Sequence, residues 1–174
     1  MKITIVGAGI GGLSSAIALA RPPHKHTITL LESAPQLAEV GAGVQLGPNA
    51  VKVWLDWGLG PALLAKAALP QTLYIYRWDD GRLLCETQIA GGFEGRFGAP
   101  YMVLHRAELH EVLRRHAVGL GVKVRVASRV VEYDFEGGTV MLEGGEVVKG
   151  DLVVAVDGED RKVFCRLEHA NRVR

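Results

Sequence analysis

The sequence is short of every feature that would mark a special environment. Its 174 residues hold two cysteines, Cys85 and Cys165, eighty positions apart. That separation forms neither a metal-ligand nor a redox motif. No excess of one charge is present: 20 Lys and Arg face 19 Asp and Glu, leaving a net charge of +1. Nucleic acid and anionic membrane surfaces are therefore not expected as partners. No apolar run approaches the roughly twenty residues that cross a bilayer. No basic leader precedes an apolar segment, because a strand-like run already starts at Lys2, so no signal peptide is read. A soluble, reducing, cytoplasmic setting is the expectation. His24 and His26 lie in a Pro-rich turn with no nearby carboxylate or Cys, so no metal site is read there. The length suits one domain with a real core.

What is plentiful is glycine, 22 residues, and its placement carries the first functional signal. The apolar run Lys2–Val6 leads directly into Gly7-Ala8-Gly9-Ile10-Gly11-Gly12, and an apolar stretch from Leu13 to Ala20 follows. This reads as strand, glycine turn, helix. Gly7, Gly9 and Gly12 satisfy GxGxxG: the first permits a tight turn, the second lets backbone approach a pyrophosphate, and the third lets helix pack close to strand. The helix start adds unpaired N–H groups and a positive dipole end. A second strand-like run, Thr27–Leu31, ends in Glu32, twenty positions after Gly12. A carboxylate there can accept both ribose hydroxyls of an adenosine. Together these features predict a dinucleotide site.

A second glycine cluster, Gly41 to Gly47, leads into Pro48 and a short amphipathic helix closed by Gly58. It is expected as an irregular, glycine-lined backbone able to lie against a flat ring. Downstream, Leu73–Trp78 and Arg82–Thr87 flank Asp79-Asp80-Gly81, a hairpin with one wet face. Gly91 to Gly98 reads as a mobile loop by composition, with Arg96 a candidate contact for an anionic substrate. Arg106 opens a helix with apolar face Leu109, Val112, Leu113 and Ala117, which leaves His110 and His116 at the surface or boundary. An alternating strand over Val122–Val126, a glycine-turned meander from Arg129 to Lys149, and a buried parallel strand, Leu152–Val156, complete the reading. That last strand runs into Asp157-Gly158.

The set GAGIGGLSSAIAL, LLESAP, GAGVQLGPNA and HRAELHEVL resembles the FAD-dependent aromatic-ring monooxygenases, the salicylate hydroxylase type of single-component flavoprotein hydroxylase, over residues 1 to 158. The resemblance implies an α/β fold: a Rossmann-like FAD-binding domain of the glutathione-reductase type, with a β-meander and a partial antiparallel substrate-side insertion. It implies FAD as cofactor, NAD(P)H as co-substrate and a small aromatic substrate, and leaves the oligomeric state open. It assigns Gly7, Gly9, Gly12 and Glu32 to the ADP half of FAD. Ala42, Gly43 and Val44 fall near the flavin, and Arg106 and Asp157 contact the cofactor region. No catalytic acid or base is assigned.

On this reading residues 1–70 and 105–158 form the FAD-binding part, 71–104 the substrate-side insertion, and 159–174 a divergent tail. In the tail, Arg161 and Phe164 stand where the family's DGxxSxxR pattern has Ser and Arg. The chain is thus expected to represent an N-terminal portion, incomplete and inactive alone. A non-catalytic dinucleotide-binding fragment and a nicotinamide-dependent dehydrogenase stay open as alternatives.

Overall fold

The protein is described by a computed structural model covering residues 1–23, 26–37, 41–134 and 136–158. In chain order the elements are β1 (Lys2–Val6), α1 (Ile10–Ala20), β2 (Thr27–Leu31), β3 (Gly43–Leu46), α2 (Pro48–Asp56) and α3 (Gly60–Leu64). Then come β4 (Thr72–Tyr76), β5 (Leu83–Gln88), α4 (Gly92–Phe97), β6 (Met102–His105) and α5 (Arg106–Gly119). The last are β7 (Lys123–Arg125), β8 (Val130–Asp134), β9 (Thr139–Leu142), β10 (Val147–Lys149) and β11 (Leu152–Ala155). Two compact units emerge, one from Met1–Ala38 with Leu113–Arg174 and one from Glu39–Val112. The divergent tail, with Arg161 and Phe164, lies outside the described residues, as does His24.

The first unit is built on a parallel sheet in the order β11-β1-β2-β7. β1 is a mainly apolar, β-branched run buried at four of its five positions, Thr4 included, the pattern of a strand covered on both faces. α1 is the crossover to β2, and its Leu13, Ala16 and Ile17 are fully buried, as are Ile5 and Leu30. Burial of each large aliphatic side chain is worth about 1.5–3 kcal/mol. The meander β8-β9-β10 is antiparallel. Its Tyr133, Val140 and Leu142 form a buried cluster with Val6 and Leu31, the last residues of β1 and β2. The meander therefore packs at the carboxyl ends of the central strands. β11 departs from the expectation of a buried strand: its residues are half-buried or exposed, because β1 is its single described neighbour.

The second unit pairs β3 with β6 antiparallel and adds a bridge from Ala68 to Val103. Here the expected irregular loop is corrected: Gly43–Leu46 is a strand, because a partner some sixty residues on supplies the ladder. The helix α2 starts at Pro48 as predicted and stops at Trp57, followed by Gly58 at φ +84°. The expected mobile loop over 91–98 is instead the short helix α4 between two left-handed glycines, Gly91 and Gly98. Phe93 fixes it by edge-to-face contacts with Phe97 and Tyr101, centroids 5.4 and 5.9 Å apart. The β4–β5 hairpin forms as predicted, but both of its faces are largely exposed rather than one. His110 of α5 also departs from expectation: it is buried with Leu109, Leu113 and Ala117. No helix among the described residues is long and apolar enough to cross a membrane.

Candidate functional site

In the first unit, β1 leads through α1 to β2 on one side, while β11 flanks it on the other. The strand order thus reverses at β1, and ligands of open parallel sheets bind in the crevice such a reversal leaves at the carboxyl ends. Gly7 directly follows β1, Glu32 directly follows β2, and Asp157 lies just past β11. The sheet brings these three predicted residues to one end.

The glycines there do separate jobs. Gly7 has φ +99°, donates its N–H to Leu31 O at 2.8 Å, and would drive an added Cβ into the Val156 carbonyl. A Cβ on Gly12 would collide with the Gly7 carbonyl oxygen, so the first turn of α1 rests on the strand end. Gly9, the N-cap of α1, has φ −69° and nothing within 4 Å of an added Cβ. Two glycines are thus required by the chain's own packing, and the third faces open space. The first-turn N–H groups of α1 have no intrahelical acceptors, and no acidic side chain sits in that turn. A pyrophosphate group fits this cradle: it has the charge the helix end favours and needs the clearance that Gly9 leaves.

Glu32 is held by its neighbours. Its Oε2 accepts the Ala8 N–H at 2.9 Å, and Oε1 accepts the Ala34 N–H at 2.8 Å and the Ser33 hydroxyl at 3.1 Å. A carboxylate offers about four acceptor positions. About one therefore remains for a ligand, fewer than the two ribose hydroxyls expected, unless an internal bond yields. Burial alone would raise the Glu32 pKa, but the Ala34, Ala8 and Ser33 bonds outweigh it and hold the carboxyl below its ordinary value. A depressed pKa contributes stability that is present above the unfolded value, near 4.5, and lost as pH falls through the folded one. Glu32→Gln should therefore melt below the parent at pH 7, with the gap closing as pH drops below about 4.5. Melting curves from pH 7 to 3 measure this, and a gap independent of pH would remove the charge from the explanation.

Two contacts at this end carry no motif. The buried Tyr133 hydroxyl donates to Asp157 Oδ2 at 2.8 Å. Burial, and then the Asp157 carboxylate, push the phenol pKa well above its ordinary value. Beyond β7, Ala127 takes φ +48°, a conformation costing about 1–3 kcal/mol in a non-glycine residue. It donates to Ala34 O at 2.8 Å, and Ser128 donates to Glu32 O at 2.7 Å, so the segment is pinned beside the acidic residue. Alternation of valines continued the predicted strand to Val126, and nothing in the residue types marks the left-handed alanine.

The remaining predicted residues gather in the second unit. Gly43 and Val44 of β3 pair with His105 and Leu104. Ala42 O accepts the Arg106 N–H at 3.2 Å, and a Cβ on Gly41 would stand 3.0 Å from Arg106 Cδ. Ala42, Gly43, Val44 and Arg106 are therefore one cluster, with Gly41 allowing backbone to lie against the arginine stem. Gln45 Oε1 accepts the Tyr101 hydroxyl at 2.6 Å. The Arg96 guanidinium lies 5.2 Å from the Phe97 ring centroid.

A parallel sheet with a glycine turn into a helix at its reversal point, and a carboxylate ending the adjacent strand, is the architecture of the dinucleotide-binding α/β class. The chain belongs to the family described as lycopene cyclase protein, whose model matches residues 2–171. Its curated relatives include the FAD-dependent monooxygenase OpS4 of Beauveria bassiana, 37% identical over 163 residues, covering 91% of this chain and 37% of that protein. A 3-hydroxybenzoate 6-hydroxylase of Aquipseudomonas alcaligenes is 38% identical over 164 residues, covering 90% of this chain and 40% of its own length. Among solved structures, a tetrameric 2-methyl-3-hydroxypyridine-5-carboxylic acid oxygenase superposes with TM-score 0.78 at 29% identity, over 90% of this chain and 39% of that one. CtdE in complex with FAD and a substrate gives 0.75 at 28% identity, over 91% and 38%. The chain thus spans about two fifths of the length of the relatives it matches. The two curated relatives are by name an FAD-dependent monooxygenase and an aromatic hydroxylase, the group that the sequence motifs resemble.

Proposed function

We propose that this chain is the FAD-binding, N-terminal part of a monooxygenase that hydroxylates a small aromatic, phenol-type substrate with NAD(P)H and O2. The observation that carries this reading is the end of the parallel sheet, where Gly7, Gly9, Gly12, Glu32 and Asp157 meet at the strand-order reversal. The hydroxylase chemistry, rather than a cyclisation, is favoured by relatives whose names specify hydroxylation of hydroxybenzoates.

On this reading the glycine turn and the start of α1 hold the pyrophosphate, and Glu32 accepts from the adenosine ribose. An acid at this position opposes a 2′-phosphate, which argues for FAD rather than NADP in the pocket. Ala42, Gly43 and Val44 lie along the flavin, with Arg106 as a fixed cation for the cofactor. The domain type is the glutathione-reductase-like FAD fold, with residues 71–104 as the substrate-side insertion. Bound FAD would supply the reducible ring system and the oxygen chemistry; the chain's share is to bind, orient and charge-balance it.

The chain alone is read as binding without turnover. Among the described residues two carboxylates have depressed pKa values, Glu32, whose acceptor positions are mostly filled, and Glu146, which is paired with Arg125 on the meander. The test is to purify residues 1–174, record the visible spectrum with added FAD, titrate affinity, and follow NADPH oxidation with and without hydroxybenzoates. Expected are a flavin-type complex, no aromatic-stimulated oxidation, and about a 10- to 150-fold weaker affinity for Glu32→Ala, the loss of a charge-assisted hydrogen bond. A parent protein that stays colourless, or a Glu32→Ala variant that binds FAD equally well, would sink the assignment.

A further inference from the structure

Tyr133 belongs to none of the sequence motifs, yet its position ties the core of the first unit to the candidate site. Its ring is buried in the cluster of Val6, Leu31, Val140 and Leu142, against the last residues of β1 and β2. That packing fixes the ring relative to the strand ends from which the glycine turn and Glu32 depart. From there its hydroxyl reaches Asp157 Oδ2 at 2.8 Å. Asp157 itself is exposed, and its Cα lies 2.9 Å from where a Cβ on Gly7 would stand. The backbone of Val156 and Asp157 thus crosses directly over the first glycine of the turn, while a phenol anchored in the core grips the carboxylate above it. Asp157 Oδ1 makes no hydrogen bond among the described residues.

We propose that Tyr133 is a positioning residue: it holds the Asp157 carboxylate in one orientation over the glycine turn, so that the remaining oxygen accepts a hydroxyl of the bound dinucleotide. The partner of that oxygen is a hydroxyl rather than a phosphate, because two anions in contact repel. Burial and the neighbouring carboxylate both keep the phenol protonated, so it remains a donor throughout the neutral range. The inference rests on the reading that FAD occupies the glycine turn.

The experiment titrates FAD by flavin fluorescence against the parent 174-residue chain, Tyr133→Phe, Asp157→Ala and the double variant, with melting curves of each without FAD. Tyr133→Phe keeps the ring in its cluster, so it should melt close to the parent and yet bind FAD about three- to tenfold more weakly. Asp157→Ala should weaken binding at least as much. The double variant should be no worse than Asp157→Ala, because Tyr133 acts only through that carboxylate. Losses that add in the double variant would overturn the proposal. So would a Tyr133→Phe protein with a lowered melting temperature and unchanged affinity, since the hydroxyl would then serve stability alone. Should Tyr133→Phe fail to fold, unchanged affinity in Asp157→Ala, an exposed substitution, decides against it. A parent chain that takes up no FAD overturns the flavin reading and this inference together. A parent that binds while the variants match it overturns this inference alone.

Discussion

Gly7→Ala should leave little folded protein at ordinary temperature. Three costs coincide at this position. The backbone is at φ +99°, where an L side chain is strained by about 1–3 kcal/mol. The new methyl group would run into the Val156 carbonyl oxygen and stand 2.8 Å from its carbon and 2.9 Å from Asp157 Cα. All three atoms are backbone, so no side chain can swing aside. Relief would need β11 to move off β1, breaking the parallel register Ile3–Leu152 to Val6–Ala155 and the Val156-to-Val6 hydrogen bond. The expected destabilisation exceeds about 3 kcal/mol, a large share of the ~5–15 kcal/mol that holds a domain folded. Urea or thermal unfolding against the parent measures it. A Gly7→Ala protein with an unchanged midpoint would show that the strand end is not packed as described.

Gly9→Ala should do the opposite: keep the fold and lose the ligand. At φ −69° and ψ −176° the backbone suits any residue, and an added Cβ meets nothing within 4 Å. Removing a glycine from a compatible position even tends to stabilise, by about 0.4–1 kcal/mol, through the unfolded chain. The open space above Gly9 is where the proposed pyrophosphate would lie. A methyl group there would hold the phosphates off the α1 N–H groups. Losing two charge-assisted hydrogen bonds of about 1.5–3 kcal/mol each predicts a fall in FAD affinity of about a hundredfold or more. Melting temperature and FAD titration, run on the same preparation, separate the two effects. A stable Gly9→Ala protein that binds FAD like the parent would move the cofactor away from this turn.

The contrast between Gly7 and Gly9 also shows where sequence reading stops. GxGxxG identifies three glycines that look alike in the sequence. The motif's own logic assigns a tight turn to the first and helix packing to the third, and the structure shows both of them jammed against carbonyl groups. That the obstacle at Gly7 is the backbone leaving β11, some 150 residues later, could not be read locally.

Local signals determined much of this protein. The β-branched run of β1, the crossover α1, Pro48 and Gly58 bounding α2, and the turn glycines of the meander all depend on neighbours a few residues away. Periodicity and turn chemistry therefore suffice for them. The predictions that failed are those whose outcome depended on distant partners. Gly43–Leu46 lies in the glycine cluster Gly41 to Gly47 and reads as loop, yet becomes a strand because Met102–His105 supplies a ladder. The composition of 91–98 reads as mobile, yet Phe93 finds Tyr101 and a helical turn forms. Leu152–Val156 reads as a buried strand, but burial depends on what lies beyond its second edge. At the site, the sequence by itself placed a glycine turn and an acid where a dinucleotide is expected. The resemblance also named Asp157, whereas only the tertiary structure decided that Glu32 spends most of its acceptors on neighbouring residues and that Tyr133 reaches Asp157. The physical reason is range: backbone propensity acts over a few residues, whereas a hydrogen bond between residues 133 and 157 exists only once two separate strands have been placed.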